Sequence, residues 1–246
     1  MKFKLTLVML SGFCVFFSGC SQRRNSASSG GAAAQGVATG IKAEAVDRMT
    51  DSTKILDELT SAPDSGIPDT ILAKAKCVAI VPEMFRGGFV VGARYGRGVA
   101  TCRNSGRWSA PAFFTVSGGS FGMQIGGQST DLVMLFMDQD GVQKLLDANV
   151  KIGGGVSLAA GPLGRTAQAS TDWKLESQIL SYSRSKGLYA GATLQGAYVR
   201  VDEDTTRGFY GRMRNFRRIL SGREPVPALA QPFVESVRKE FHESRM

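Results

Sequence analysis

The side chains that could catalyse a reaction are few and widely spaced in this sequence of 246 residues. His242 is its one histidine and stands near the polar C-terminal end. A serine or cysteine nucleophile therefore has no base in a recognisable arrangement. Carboxylates such as Asp138, Asp140 and Asp202 fall in turns or directly after strands, where solvated loop positions explain them. The sequence gives no positive reason to expect an enzyme.

Glycine clusters and cysteines could in principle bind a phosphate or a metal. The 30 glycines include residues 153–155 and a cluster at 118–127, but the GxxxxGK[ST] spacing of a phosphate loop is absent. The clusters lie inside strand-like runs, which favours bulges, sheet corners or close approach of backbones. A single histidine and the lack of CxxC spacing give no metal site, so we expect neither a metal nor a cofactor.

Cys20 carries the clearest chemical prediction. Two lysines, an apolar run over residues 5–17 and a Ser-Gly pair precede it, which is the layout of a secretory signal. The run is shorter than the roughly 20 residues of a membrane-spanning helix. Small residues directly before a cysteine resemble the bacterial lipobox, although Phe17 stands where that motif usually has Leu. We expect cleavage after residue 19 and acylation of Cys20, for example with palmitate; an ordinary signal peptide with a chance cysteine is the alternative.

The residues after Cys20 predict a tether and an exported location. Residues 21–40 contain Val37 as their one large apolar side chain, so they cannot bury enough surface to offset the entropy of ordering, and we expect a flexible segment. Ser21, where an Asp would resemble an inner-membrane retention signal, favours the periplasmic side of an outer membrane. In that oxidising compartment Cys77 and Cys102 could form a disulfide or remain buried thiols, and both alternatives stay open.

The rest of the chain predicts an α+β fold that must position any site. Residues 43–59 have apolar side chains at three- and four-residue spacing, which indicates an amphipathic helix, and a second short helix is expected after Pro68. From Cys77 to Val201, short β-branched and aromatic runs cut by glycine predict strands, with a turn at residues 104–106 and a short helix capped by Asp138. We expect a strongly bent, mostly antiparallel sheet or partial barrel with helices at both ends.

Arginine-rich segments are the strongest candidates for binding. The net charge is +9, and +7 remains without the two lysines of the signal, which in an exported chain favours anionic lipid headgroups over nucleic acid. Residues 205–223 contain six arginines and no acidic residue. In residues 213–220, helical spacing separates an apolar stripe from Arg214, Arg217 and Arg218, which predicts a basic amphipathic helix on a membrane. Packing of the apolar stripe on the sheet is the alternative.

Seven segments resemble, in order, the SYLF domain, also called the Ysc84 or Las17-binding actin-regulator domain. They are residues 62–82 (APDSGIPDTILAKAKCVAIVP), 87–99 (GGFVVGARYGRGV), 108–114 (WSAPAFF), 118–136 (GGSFGMQIGGQSTDLVMLF), 159–165 (AAGPLGR), 181–196 (SYSRSKGLYAGATLQG) and 209–211 (FYG). The resemblance implies a non-enzymatic module that binds anionic lipids. Some eukaryotic members bind actin, an activity that we do not expect of an exported lipoprotein.

In eukaryotic members of the family that this chain resembles, lipid contact is attributed to the basic N-terminal part of the domain. The matching residues 41–59 of this chain carry three basic and five acidic side chains, which disfavours binding of anionic lipid there. We therefore look to arginines in or beside the glycine-rich strands, namely Arg86, Arg94, Arg97 and Arg103. Arg94 and Arg97 stand at an expected hairpin, where they could bind a phosphate or simply lie on the surface of a turn. Arg184 and Lys186 stand at a second expected turn, and both turns at one end of the sheet would form a basic rim.

The sequence thus predicts a signal peptide (1–19), a lipidated cysteine with its tether (20–40), a SYLF-like lipid-binding domain (41–211) and a basic helical extension (212–246). We expect a lipid-anchored envelope protein that binds anionic phospholipid through Arg86, Arg94, Arg97, Arg184, Lys186, Arg214, Arg217 and Arg218. A scaffold lipoprotein whose arginines contact an acidic protein or cell-wall polymer is the first alternative. An unrecognised hydrolase with a concave polar site is the second.

Overall fold

The computed structural model describes residues 29–62, 66–88, 91–121, 126–147, 149–151, 158–163, 178–185, 188–191 and 196–243. The predicted signal peptide, Cys20 and the first part of the predicted tether lie outside these residues, as does Lys186. None of the helices within the described ranges combines the length and the apolar character needed to cross a membrane.

The described helices lie mainly towards the two ends of the chain. They are α1 (Ser29–Ser61), α2 (Asp69–Lys74), α3 (Gln139–Leu146), α4 (Glu203–Tyr210), α5 (Phe216–Arg218), which continues as a π-helical turn (Ile219–Arg223), and α6 (Gln231–Glu243), which follows a 3-10 turn (Ala228–Ala230). The predicted helices at residues 43–59 and after Pro68 are confirmed. The predicted cap is confirmed as well, because the Asp138 carboxylate accepts a hydrogen bond of 2.6 Å from the backbone N–H of Gly141.

Helix α1 begins earlier than the amphipathic pattern predicts. It starts at Ser29, so residues 29–40, which we predicted as flexible, are helical in the structure. The alanines of this stretch favour a helix, since alanine has the highest helix propensity. Residues 37–40 are all exposed, so the helix extends outward here instead of packing along the core. The assignment of residues 20–40 as a tether stays a prediction.

The described strands form one strongly curled sheet. Their bounds are β1 (Cys77–Gly88), β2 (Val91–Asn104), β3 (Arg107–Trp108), β4 (Ala112–Phe121), β5 (Gly126–Phe136), β6 (Asn149–Lys151), β7 (Leu158–Ala160), β8 (Ile179–Ser185), β9 (Leu188–Gly191) and β10 (Tyr198–Val201). Their order across the sheet is β6-β10-β4-β2-β1-β5-β8-β7, with β3 beside β2 and β9 beside β8. Strands β7 and β8 are parallel and the other pairs are antiparallel. The predicted α+β fold with a strongly bent, mostly antiparallel sheet is confirmed.

Each face of the sheet packs against a different set of helices. On one face, Ile80, Phe113 and neighbouring side chains are buried together with α1, α2 and α6. On the other, Val81, Phe114 and their neighbours are buried with Leu145 of α3 and with Phe216 and Leu220 of the α5 region. We call these the α1 face and the α3 face. Because side chains alternate along a strand, successive residues of β1 and β2 point to opposite faces.

Cys77 and Cys102 lie opposite each other on β1 and β2 and are joined by a disulfide, with a sulfur–sulfur distance of 1.99 Å. Of the two alternatives that the sequence left open, the structure contains the disulfide. The predicted turn that follows at residues 104–106 is confirmed: Ser105 and Gly106 have φ angles of 47° and 83°, in the region that glycine adopts without strain.

Candidate functional site

Two of the predicted lipid-binding arginines lie directly opposite each other. Arg86 of β1 is the cross-strand partner of Arg94 of β2. Both belong to the α3 face: Arg86 follows the buried Met84 by two residues, and Arg94 precedes Gly96, where an added Cβ would touch Met84 and Val81. We call Arg86 and Arg94 the arginine pair.

Both side chains of the arginine pair are half-buried. Burial lowers the pKa of Arg86, and burial together with the positive charge of Arg86 lowers the pKa of Arg94. Arg94 donates a hydrogen bond of 3.1 Å to the carbonyl oxygen of Gly119. The buried Nε of Arg86 has no hydrogen-bond acceptor among the described residues. Like charges directly opposite each other destabilise a sheet, so an anion between the two guanidinium groups would remove an existing cost.

Small residues leave space around the arginine pair. In the register of the sheet, Gly118 of β4 lies beside Arg94, and Gln128 of β5 lies beside Arg86. The next row towards the strand ends is made of Ser120, Gly92, Gly88 and Gly126. Three of these four residues have no side chain, so the described strands place only small residues in the row next to the two guanidinium groups.

Arg97 does not join the arginine pair. We predicted a hairpin around Arg94 and Arg97, and this prediction is wrong: both residues lie inside β2, which begins at Val91, while β1 ends at Gly88. Their spacing of three residues puts the two side chains on opposite faces. Arg97 lies on the α1 face, where it donates hydrogen bonds to Tyr95 and to Glu44 of α1. These hydrogen bonds raise the pKa of Arg97.

Arg184 is also separated from the arginine pair. It lies on β8, opposite Asp131 of β5, and forms ion pairs with Asp131 (2.8 Å) and with Glu58 of α1. Contact with α1 places it on the α1 face. The predicted basic rim requires Arg184 to lie near the arginine pair. Among the described residues this rim does not form, because Arg184 and the arginine pair are on different faces. Lys186, its predicted partner in the rim, lies outside the described residues.

The three arginines of the C-terminal segment contact acidic side chains. Arg214 and Arg218 both reach Glu224, whose side chain is only 4% exposed, at 3.2 and 2.6 Å. Arg217 forms an ion pair of 2.7 Å with Asp147, next to α3. Two of these cations therefore compensate a buried carboxylate, a role that accounts for them without any ligand.

The predicted helix over residues 213–220 begins only at Phe216 and continues through Leu220 into a π-helical turn. Helix α5 is only Phe216–Arg218, because Asn215 caps it and the left-handed Gly222 ends the turn that follows it. Phe216 and Leu220 are buried on the α3 face, which is the packing alternative of the sequence analysis. Further on, Phe233 and Phe241 of α6 are buried on the α1 face. The segment that we predicted as an extension thus contributes to both halves of the core.

Other kinds of site find little support in the described part of the chain. No group of three or more His, Cys, Asp or Glu that could hold a metal occurs there. A shallow cavity of about 370 Å³ lies beside Phe216 and Met213, but its charged residues are arginines and acids that largely pair with each other. It offers no converging catalytic groups.

Three exposed aromatic residues on the α1 face were not among the site residues predicted from the sequence. Phe85, Tyr95 and Tyr198 are 54%, 48% and 40% exposed, and Lys151 and Arg200 lie over the ring of Tyr198. The spacing of Tyr95 to Arg97 and of Tyr198 to Arg200 is two residues in both strands. This i, i+2 spacing is the sequence pattern that could have predicted the group, because it puts an aromatic ring and a cation on one face of a strand.

Comparison with known proteins agrees with the resemblance seen in the sequence. The family model of Ysc84, described as "Las17-binding protein actin regulator", matches residues 117–240, about half of the chain. The chain is 35% identical over 175 residues to Protein YSC84 of Saccharomyces cerevisiae, covering 70% of this chain and 37% of that protein. It is 34% identical over 191 residues to the human SH3 domain-containing YSC84-like protein 1, covering 75% and 56%.

LAS seventeen-binding protein 3 of S. cerevisiae is 36% identical over 171 residues, which cover 68% of this chain and 37% of that protein. The chain thus spans between about a third and just over half of the length of these relatives. The name of this last relative describes a binding protein, and the description of the family model names a binding protein and actin regulator. The family model begins within β4 and ends within α6, and the chain belongs to the Ysc84 (SYLF) family.

Proposed function

We propose that this chain is a non-enzymatic lipid-binding module and that the arginine pair binds the phosphate of an anionic phospholipid headgroup. The observation that carries the proposal is the direct opposition of Arg86 and Arg94 on the α3 face, half-buried and beside glycines. Guanidinium groups bind phosphate oxygens in a bidentate manner, so two of them could hold one phosphate.

The other predicted contacts have weaker grounds. In the described part of the chain, Arg97, Arg184, Arg214, Arg217 and Arg218 all have carboxylate partners. A phosphate would have to displace a carboxylate at each of them, whereas at Arg86 it would meet a buried N–H group without an acceptor. Providing that acceptor is favourable because an unsatisfied buried donor has already lost its hydrogen bond to water.

The proposal includes a location. We propose that residues 1–19 direct export, that Cys20 is acylated, and that the domain is held at the periplasmic side of an outer membrane. Las17 binding and actin regulation belong to the names of the relatives and the family. We propose neither for this chain, because export would separate it from the actin of its own cell. A scaffold lipoprotein that contacts an acidic protein or polymer is the alternative that the experiment below would favour if lipid does not bind.

The experiment measures sedimentation of residues 20–246, carrying Cys20→Ser, with vesicles of phosphatidylglycerol or of phosphatidylcholine at millimolar lipid. We expect binding to the anionic vesicles only, and weaker binding as salt is raised. The variant Arg86→Gln/Arg94→Gln should bind at least about tenfold more weakly, since each charge-assisted hydrogen bond contributes roughly 1.5–3 kcal/mol.

The matched control is Arg217→Gln/Arg238→Gln, which removes the same charge from two exposed arginines that have carboxylate partners. It should change binding by less than about twofold, apart from the general loss of charge. Denaturant unfolding of all variants provides the folding check. Equal loss of binding in both double variants would show non-specific electrostatics and contradict the assignment to the arginine pair. Absence of binding to either vesicle would contradict the lipid-binding function.

A further inference from the structure

A row of exposed side chains crosses four strands on the α1 face, level with the arginine pair. In register, Phe85 of β1 pairs with Tyr95 of β2, Tyr95 with Ser117 of β4, and Ser117 with Tyr198 of β10. Lys151 of β6 continues the row beyond Tyr198. We call Phe85, Tyr95 and Tyr198 the aromatic row. Each of its three rings is between 40% and 54% exposed.

Cations surround the aromatic row. The next register row towards the core contains Arg97 of β2, Thr115 of β4 and Arg200 of β10. The Nε of Arg97 lies 3.4 Å from the hydroxyl oxygen of Tyr95, to which it donates a hydrogen bond. Lys151 and Arg200 lie 5.7 and 5.9 Å from the ring centroid of Tyr198. None of the paired residues in these two rows is acidic, and within the described ranges the ion pair that these cations form is the one between Arg97 and Glu44 of α1.

Helix α1 stops short of covering this surface. Its ion pair between Glu44 and Arg97 marks the border, and the next row inward, Val99 and Phe113, is buried under it. Residues 37–40, which precede Glu44, are exposed. This part of α1 is therefore not buried by the sheet.

We propose that the aromatic row and its cations form the surface that lies against the headgroup layer of an anionic membrane; this rests on the proposed lipid-binding function. Tyrosine rings with one polar end favour the boundary between headgroups and acyl chains. Arginine and lysine beside them can reach lipid phosphates from that depth. The positive charge of the surface is complementary to anionic headgroups, and together with the exposed rings it favours a membrane over a protein partner.

The aromatic row and the arginine pair belong to the same level of the same two strands. Phe85 and Arg86 are neighbours, as are Arg94 and Tyr95, and each neighbouring pair points to opposite faces. A membrane boundary that crosses β1 and β2 at this level would meet rings on the α1 face and guanidinium groups on the α3 face. The two contacts are therefore compatible with one orientation of the domain.

The test places a tryptophan in the row and asks whether it enters lipid. Tyr95→Trp and Tyr198→Trp are made in residues 20–246 with Cys20→Ser, and Met213→Trp is the control. Met213 is 43% exposed and lines the cavity beside Phe216, on the α3-face side of the core. Trp108 and Trp173 are present in all three variants, so differences report the new residue. The probe is phosphatidylglycerol vesicles with bromine atoms on the upper acyl chain, which quench nearby tryptophan.

We expect a blue shift and quenching of the new tryptophans at 95 and 198, and neither for the one at 213. The variant Tyr95→Ser/Tyr198→Ser should bind vesicles about tenfold more weakly, because two rings lose their burial in lipid. It should bind dibutanoyl phosphatidylglycerol, a short-chain lipid that stays dispersed in water, as the unchanged chain does.

The outcomes separate this inference from the proposed function. If the chain binds vesicles but the new tryptophans at 95 and 198 stay unquenched, the aromatic row is not the membrane surface, while lipid binding by the arginine pair stands. If neither vesicles nor dibutanoyl phosphatidylglycerol bind, both proposals fall. Equal quenching at 95, 198 and 213 would contradict a defined face.

Discussion

At the scale of single residues, the arginines of this domain differ in what surrounds them. Arg48 is the most enclosed: its side chain is 5% exposed and forms an ion pair of 3.2 Å with Asp202, across 154 positions of sequence. It also donates hydrogen bonds to Thr205 and to the carbonyl oxygen of Gly98. This network joins α1, β2 and α4, and it satisfies a buried charge with several partners, which is the condition under which such a charge is tolerated.

Asp202 should make stability depend on pH. Burial alone would raise its pKa, but hydrogen bonds from Thr205 and Arg48 and the charge of Arg48 outweigh burial and lower the pKa below 3.8. Above about pH 3.8 the ionised Asp202 carboxylate therefore stabilises the fold, and this stabilisation is lost as the pH falls through the folded-state pKa of Asp202. We expect Asp202→Asn to reduce the free energy of unfolding at pH 7 by roughly 3–5 kcal/mol, because it removes the buried charge partner of Arg48 and leaves it only the half-exposed Glu44.

The measurement is urea unfolding between about pH 1.5 and pH 7, a range that extends below the lowered pKa of Asp202. In Asp202→Asn the loss of stability towards acid should be smaller than in the unchanged chain. Asp204→Asn is the control, because Asp204 is 86% exposed and should change stability by less than about 0.5 kcal/mol. Parallel acid profiles for the unchanged chain and Asp202→Asn would show that Asp202 does not carry this dependence.

The sequence revealed which segments are basic but not which arginines have partners. Arg48, Arg97 and Arg184 each pair with a carboxylate that lies 53 to 154 positions away in the sequence. The fold brings the elements that carry the two partners together. Arg86 and Arg94 were predicted to bind lipid because they lie in or beside glycine-rich strands. The structure also places them beside glycines. Pairing across a sheet depends on register, and one-residue changes of register would exchange the faces of all these side chains.

At the scale of elements, β2 depends on glycines at two buried positions. A Cβ at Gly98 would lie 2.3 Å from Cζ of Phe114 and 2.8 Å from the carbonyl oxygen of Ile80. A Cβ at Gly96 would lie 2.5 Å from Cγ1 of Val81. These glycines let the neighbouring strands and their large side chains approach closely where the sheet curls.

We expect Gly98→Ala to destabilise the fold by roughly 1–3 kcal/mol, because the new methyl group overlaps both a ring and a backbone oxygen. Gly119→Ala, on the neighbouring strand β4, is the control: its Cβ would have its nearest neighbour at 4.0 Å, so the change should stay within about 0.5 kcal/mol. Thermal unfolding of the two variants measures the difference. Similar midpoints for both would show that the curl of the sheet accommodates a side chain at Gly98.

The same glycines explain why one element was misplaced from sequence. Gly96, set between polar and aromatic residues, is typical of a turn, so the pattern predicted a hairpin there. In the structure Gly96 is a strand residue whose missing side chain makes room for Val81 and Met84. Alternation of side chains predicted the strands themselves correctly, since that signal is local. Close packing between strands is not local, and the sequence cannot distinguish it from a turn.

At the scale of the whole molecule, the first and last helices of the described chain, α1 and α6, meet on the α1 face. Thr60 of α1 donates a hydrogen bond of 2.5 Å to Glu240 of α6. Phe241 packs edge-to-face on Trp108 of β3, with ring centroids 4.9 Å apart, and Arg103 lies over both rings. Residues on both sides of the predicted boundary at residue 211 therefore contribute to the packed core; the basic composition of the last segment did not indicate its buried phenylalanines.

Phe241→Ala should lower the free energy of unfolding by roughly 3–5 kcal/mol, the range for removing a buried phenylalanine. Phe241 is 1% exposed, whereas Leu229, in the turn before α6, is 48% exposed. Leu229→Ala is therefore the control and should cost less than about 1 kcal/mol. Urea unfolding followed by tryptophan fluorescence measures both, since Trp108 contacts Phe241. A small effect of Phe241→Ala would mean that α6 is dispensable for the fold.

The helical start of α1 bears on how strongly the domain would need to hold a lipid. If Cys20 is anchored, residues 29–40 reach about 18 Å as a helix, against about 40 Å as an extended string. A shorter, stiffer connection keeps the domain in a thinner layer above the bilayer and raises the effective concentration of headgroups around it, which short linkers bring into the millimolar range. A site with only millimolar intrinsic affinity would then be occupied much of the time, so avidity from the anchor could replace strong recognition at the arginine pair.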